Sequence, residues 1–359
     1  MSQSSPIAQY ASNPLTDNGP LQQRFWHYLL NHPAPNSATE APAAVGGSRL
    51  AIDRQAAQRR DQLKQQQQAQ LASYQQRFIE HFEKDLSDTL GQLHLSEQCP
   101  IKAPHLALLN EIINPNISRS KAMLLLQGQP LLGQSLLRYV NRQLQQRGNA
   151  LVTNPKLAFT YLGVQQIQQA LPWLQFQLWH RSSKINLRQR KLWRMVQQQK
   201  RLAGQLAHHY GLDVGISEAC AVLQAVDALL LLHCAEVRFN ELQQLWLKRA
   251  REAREKQIHQ AVLTAQLPSQ SLLKLWQQPH LWGYRCMAGQ LHDGNKRLLA
   301  EMAQRDYQQL SPITAVVAQA HLMTISRTLK KRKLIEREEL EQWLSHYPKP
   351  HSLQQPPST

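Results

Sequence analysis

Apolar residues recur every three or four positions over long stretches of this chain, the period of a helix face. Between 50 and 98 the series Leu63, Leu71, Tyr74, Phe78, Phe82, Leu86, Leu90 and Leu93 predicts one long amphipathic helix that runs through the polyglutamine patch Gln65–Gln68. Such a stripe has to be buried. It can lie on the main body, or it can pair with a second copy through residues 63–93. The stripe is short and is not a strict heptad, which favours the main body. Ahead of it, Leu21–Leu30 (LQQRFWHYLL) predicts a short helix packed on the body, near 21–31. The rest of 1–49 is a polar, Pro-bearing tail and a Pro/Ala/Gly/Ser linker, with little reason to fold.

Residues 99–345 read as a second, almost wholly helical unit. Pro104, Pro115, Pro130, Pro155, Pro172, Pro268, Pro279 and Pro312 punctuate it at helix-length intervals. Ser118 before an apolar run marks a helix start, and Pro130 suits the first turn of the next helix. No run of β-branched residues alternates with polar ones, so the expected fold class is all-α. Residues 346–359 (from YPKPHSLQQPPST) are Pro-rich and are expected to be a disordered tail.

Composition narrows the function classes. The 42% apolar content supports a real core, and four scattered cysteines (Cys99, Cys220, Cys234, Cys286) suit a reducing cytosol better than a disulfide framework. No secretory signal is apparent at MSQSSPIAQY. The most apolar run, Ala219–Cys234, is interrupted by Gln224, Asp227 and His233, so no membrane span is expected. The formal charge is +17, and it is unevenly placed: Ile112–Leu212 holds fourteen Lys or Arg and no Asp or Glu. Such segregation favours anionic partners, although net charge by itself speaks first to solubility.

The stretch APHLALLNEIINPNISRSKAMLLLQGQPLLGQSLLRYVNR, followed by LAFTYLGVQQIQQALPWL, resembles the opening of the HDOD (HD-related output domain) family. The steps that carry the likeness are Pro104, Asn114-Pro115, Gln129-Pro130-Leu131, Asn141, and Ala158 to Leu162-Gly163; Gln129 stands where that family usually has Asp. The likeness continues through Leu192-Trp193-Arg194, Leu202-Ala203 to Gly211, and Glu218-Ala219 to Leu232, and then more weakly to Leu322. It implies an HDOD-like helical bundle used for signalling, here preceded by the long Gln-rich helix and the disordered N-terminal segment.

Catalytic HD phosphohydrolases hold a divalent metal with a His, a later His-Asp pair and a distant Asp, so that phosphate is polarised and bound water acidified. Along the resemblance, Met195 stands where the first His would be, and Val226-Asp227 stands for His-Asp. This degenerate pocket (Met195, Val226, Asp227) implies a loss of hydrolysis. His208-His209, His233-Cys234 and His292-Asp293 have bland readings as a helix-end cap, a buried helix pair and a turn. No nucleophile arrangement, phosphate loop or dinucleotide fingerprint is present, and no cofactor is expected.

A candidate anion-binding set comprises Arg181, Lys184, Arg188, Arg190, Lys191, Arg194, Lys200 and Arg201, with Arg190, Arg194 and Arg201 near one helix face. Two further basic runs are Lys248–Lys256, explained by ion pairing along a solvated helix, and Arg327–Arg337. The expected function is that of a non-catalytic, cytoplasmic regulatory protein of signal transduction that binds a partner protein or small ligand. The alternative is a basic helical regulator that binds nucleic acid, and a remote third is a metal-dependent phosphohydrolase.

Overall fold

The computed structural model describes residues 13–17, 19–30, 51–93, 99–179, 187–278, 281–304 and 306–353, with the side chains of 51–58 set aside. Among the described residues there is no strand. The first eight helices are α1 (Pro20–Leu30), α2 (Ala51–Gly91), α3 (Ala103–Ile112), α4 (Arg119–Gln127), α5 (Pro130–Gln146), α6 (Pro155–Tyr161), α7 (Val164–Trp179) and α8 (Leu187–His209). They are followed by α9 (Val214–Gln224), α10 (Val226–Glu252), α11 (Lys256–Thr264), α12 (Ser269–Trp276), α13 (Trp282–Met287), α14 (Asp293–Met302), α15 (Pro312–Lys331) and α16 (Arg337–Ser345). The described chain falls into two compact units. One takes its residues from Met1–Leu29, Leu93–Leu232 and Trp276–Thr359, the other from Leu30–Gln92 and His233–Leu275.

In the first unit local chemistry sets the helix starts. The Ser118 hydroxyl caps α4 by accepting from the Lys121 amide, Asn154 caps α6 through Leu157, and Asp213 caps α9 through Ile216 at 2.7 Å. Proline at the first turn starts α5, α6 and α15. Pro172 behaves differently from the expected punctuation, since it is buried inside α7. α5 turns Leu132, Leu136, Val140 and Leu144 into a core with Leu126, Phe159, Ile167 and Leu171. Burial of side chains of this size contributes about 1.5–3 kcal/mol each. Asn141 closes the following loop by accepting from the Val152 amide and donating to its carbonyl, both at 2.9 Å. Gln129 donates to the Pro104 carbonyl at 2.9 Å.

α9 is the pivot of this unit. It packs against α7, α8 and α15, and most of its side chains are buried. The Glu218 carboxylate occupies the space that a β-carbon at residue 204 would need, so a larger residue there would displace the Glu218 side chain. α1 joins the same unit through buried Leu21, Phe25, Trp26 and Leu29, as its sequence predicts. Arg24 fastens it by donating to the Leu334 carbonyl at 2.7 Å and to Glu339.

The described parts of the two tails, residues 13–17 and 346–353, are ordered against the body, while the rest of the expected disordered segments lies outside the described residues. Asn13 is fully buried and donates to the carbonyls of Met302 (3.3 Å) and Gln304 (2.7 Å), while Tyr347 donates to Asp17. Leu353 is buried at a short 3₁₀ turn, His351–Leu353. Burying these groups with their polar atoms paired outweighs the local preference of Pro-rich sequence for solvent.

In the second unit α2 lays Phe78 and Phe82 edge-on to Phe239 of α10, at ring-centroid distances of 5.4 and 5.3 Å. Asp85 pairs with Arg238 at 2.7 Å, and Gln75 donates to the Ala261 carbonyl of α11 at 3.1 Å. This half of the apolar stripe is thereby buried within its own chain. Residues 59–70, including Leu63 and the polyglutamine patch, are exposed. The basic run 248–256 is not one helix: α10 stops at Glu252 and α11 begins at Lys256. Arg254 takes a left-handed φ of 60°, and Glu255 donates back to the Ala250 carbonyl at 2.8 Å, which closes the helix end.

Candidate functional site

A cavity of about 660 Å³ in the first unit opens where α9 ends and α10 begins. That volume lies within the range of small-molecule sites. The short break after Gln224 brings Gln224, Val226 and Asp227 to its wall, so two of the three degenerate-pocket residues line it. Across from them stand Gly283, Tyr284 and Arg285 of α13 and His321 of α15. Trp26 and Trp276, with ring centroids 4.0 Å apart, form an aromatic wall, and Pro14–Asp17 close one side.

Asp227 lies in the first turn of α10, where the helix dipole favours a carboxylate. Its Oδ1 accepts from the Gly283 amide. Residue 283 is tightly enclosed, because a β-carbon there would stand 3.1 Å from both Asp227 Oδ1 and Val226 Cγ1 and push them back by a few tenths of an ångström. The carboxylate is thus a structural acceptor that docks α13 onto α10.

Met195 is buried in α8 but does not border the cavity. Gln199, one turn further along α8, does not border it either but holds two residues that do. Its amide nitrogen donates to Gln224 Oε1 at 3.0 Å, and its oxygen lies 3.3 Å from His321 Nδ1. Burial alone pushes His321 down to about 4, so at neutral pH the imidazole is uncharged and its Nδ1–H faces Gln199. Neither His321 nor Gln199 is singled out by sequence reasoning. The available signal was a lone imidazole in the apolar run TAVVAQAHLMTIS.

These donors do not fit a divalent metal of the HD type. Asp227 is turned to a backbone amide and His321 Nδ1 to an amide oxygen, and among the described residues no three His, Cys, Asp or Glu side chains converge. His292 and Asp293 are exposed at the start of α14, with Gly294 and Asn295 in its first turn rather than in a loop. The cysteines are buried. Cys220 is pushed up to about 12 by burial, and Cys99 lies 3.9 Å from Cys286.

The candidate anion-binding residues separate into distinct settings. Arg181 and Lys184 lie outside the described residues. Arg188 is buried in α8. Lys191 donates to the Tyr28 carbonyl at 2.6 Å and sits over its ring, and Lys200 pairs with Glu218 at 3.0 Å. Arg190, Arg194 and Arg201 face solvent.

Among its described residues the first unit is all-helical, with a walled cavity at the α9–α10 break. The HDOD domain model matches residues 102–282, about half of the chain, and the chain belongs to the HDOD family. No curated protein and no solved structure matches it. One stretch, Val214–Glu252, is long and apolar enough to cross a membrane by length and composition, and 78% of its apolar window is buried inside the protein.

Proposed function

We propose that this protein is a non-catalytic, cytoplasmic regulatory component of signal transduction, and that its HDOD domain takes a small ligand in the cavity beside Asp227 and transmits occupancy to a partner protein. The single observation that carries this reading is the cavity itself. It has the size of a ligand site, an aromatic wall and a few polar groups, while its one carboxylate from α10 is spent on the Gly283 amide. A neutral imidazole, the Gln224 amide and the Arg285 guanidinium are polar groups on its wall that can orient a ligand by hydrogen bonds.

Two measurements test it. Incubation of the full chain with magnesium or manganese and phosphomonoester or phosphodiester substrates is expected to give no turnover above buffer; turnover abolished by Asp227→Asn would make the protein an enzyme. Thermal-shift screening of small metabolites is expected to find compounds that raise the midpoint of the wild type and fail to raise that of Gln224→Ala. Equal shifts in both proteins would remove the cavity from the mechanism.

A further inference from the structure

The outer face of α8 carries a row of side chains that the cavity does not use. Arg190, Arg194, Gln197, Arg201, Gln205 and His208 follow one another at steps of four, three, four, four and three residues, and all six are exposed. That spacing places them along one side of the helix, over about 27 Å of its axis. The opposite side, with Leu192, Met195, Val196, Gln199 and Leu202, is buried against the bundle. The row holds no carboxylate; Glu218 of α9 is engaged by Lys200 on the flank. It also holds no large apolar side chain.

We infer that this row is a track for the sugar-phosphate backbone of a nucleic acid, recognised by charge and spacing rather than by base sequence. Three guanidinium groups on a rigid rod match a linear polyanion, because each fork can hold a phosphate bidentately and glutamine amides between them donate further. A protein partner would need an apolar centre to its interface, and a lipid surface would need apolar side chains to insert. The row offers neither. The stretch Ile112–Leu212, to which α8 belongs, contains no Asp or Glu, and the Glu218 carboxylate that reaches α8 from α9 is paired with Lys200. The inference stands apart from the cavity, which takes a different ligand on a different surface.

The test is fluorescence anisotropy of the full chain with short labelled RNA and DNA of mixed sequence, single-stranded and duplex, titrated against salt. Wild type is expected to bind at low salt with little sequence preference and to weaken steeply as salt rises. Arg190→Gln/Arg194→Gln/Arg201→Gln is expected to flatten the log–log salt slope by about 2 to 3, since each lost phosphate contact removes about 0.7–0.9. Its circular dichroism and melting midpoint should match wild type, because all three residues are exposed. Arg249→Gln/Arg251→Gln/Lys256→Gln, which removes the same charge from exposed positions elsewhere, should leave the slope unchanged. Replacement of the three arginines by lysine should keep most of the slope. The inference is overturned if wild type does not bind at low salt, if both charge-removing variants lose equally, or if the α8 variant loses binding only to anionic vesicles or an acidic peptide.

Discussion

His321 sets a pH dependence of the fold, in the same direction as the half-buried His105, which burial also holds below the usual imidazole range. The His321 imidazole is held neutral by burial, with a folded value of about 4 against an ordinary 6.5. Between those values the unfolded chain binds a proton that the folded chain does not, so stability rises with pH across that window and is lost as pH falls. The full effect amounts to about 3 kcal/mol below pH 4, before other groups are counted. Melting midpoints are therefore expected to drop between pH 7 and pH 5 in wild type. In His321→Gln the midpoint should change less over that range. A wild-type midpoint that is level from pH 7 to pH 5 would mean that the ring is solvated. Cys220 behaves in the same spirit: its thiol, pushed up to about 12, is expected to resist iodoacetamide in the native protein and to react once the protein is unfolded.

At the scale of elements, the α10–α11 break is a specific liability. Arg254 adopts a left-handed backbone that costs a residue with a β-carbon about 1 kcal/mol, and glycine would relieve it. Arg254→Gly is expected to raise stability by roughly that amount in chemical denaturation, while Arg251→Gly, in the last turn of α10, should lower it. On α2, Phe82→Ala is expected to cost about 3–5 kcal/mol, whereas Leu63→Ala at an exposed position should lie within about 0.5 kcal/mol of wild type. The periodicity that predicts α2 treats both positions alike, because a stripe records what a helix could bury and not where a neighbour reaches. Capping chemistry is different. Ser118, Pro130 and the Leu21–Leu30 helix are legible because each depends on residues within a turn of itself. The interruption of KRAREAREK is not legible, since every residue in it is compatible with helix. Pro172 inside α7 is illegible for the converse reason: tertiary burial holds a helix that local propensity would end.

For the whole molecule, the cavity is a product of long-range convergence. Gln199 and His321 are 122 residues apart. Asp227 meets Gly283 across 56 residues, and Asn13 meets Gln304 across 291. Sequence reading reaches Val226 and Asp227 through the family likeness, whereas Met195, its third residue, is buried in α8 without bordering the cavity. Trp26 couples the N-terminal helix to the aromatic wall. Trp26→Ala is expected to lower stability by about 3–5 kcal/mol and to increase binding of a hydrophobic dye. Asn13→Ala should cost about 1–3 kcal/mol through its two abandoned carbonyls. If both variants melt with wild type, the segment around Asn13 contributes nothing to the wall.

That stitching of Asn13 and Asp17 to Met302, Gln304 and Tyr347 has a consequence for biosynthesis. These bonds join positions 289 to 330 residues apart, so the segment before α1 cannot finish docking until the stretch carrying Met302 and Tyr347 has been made. The cavity side that Pro14–Asp17 closes is therefore completed late in synthesis.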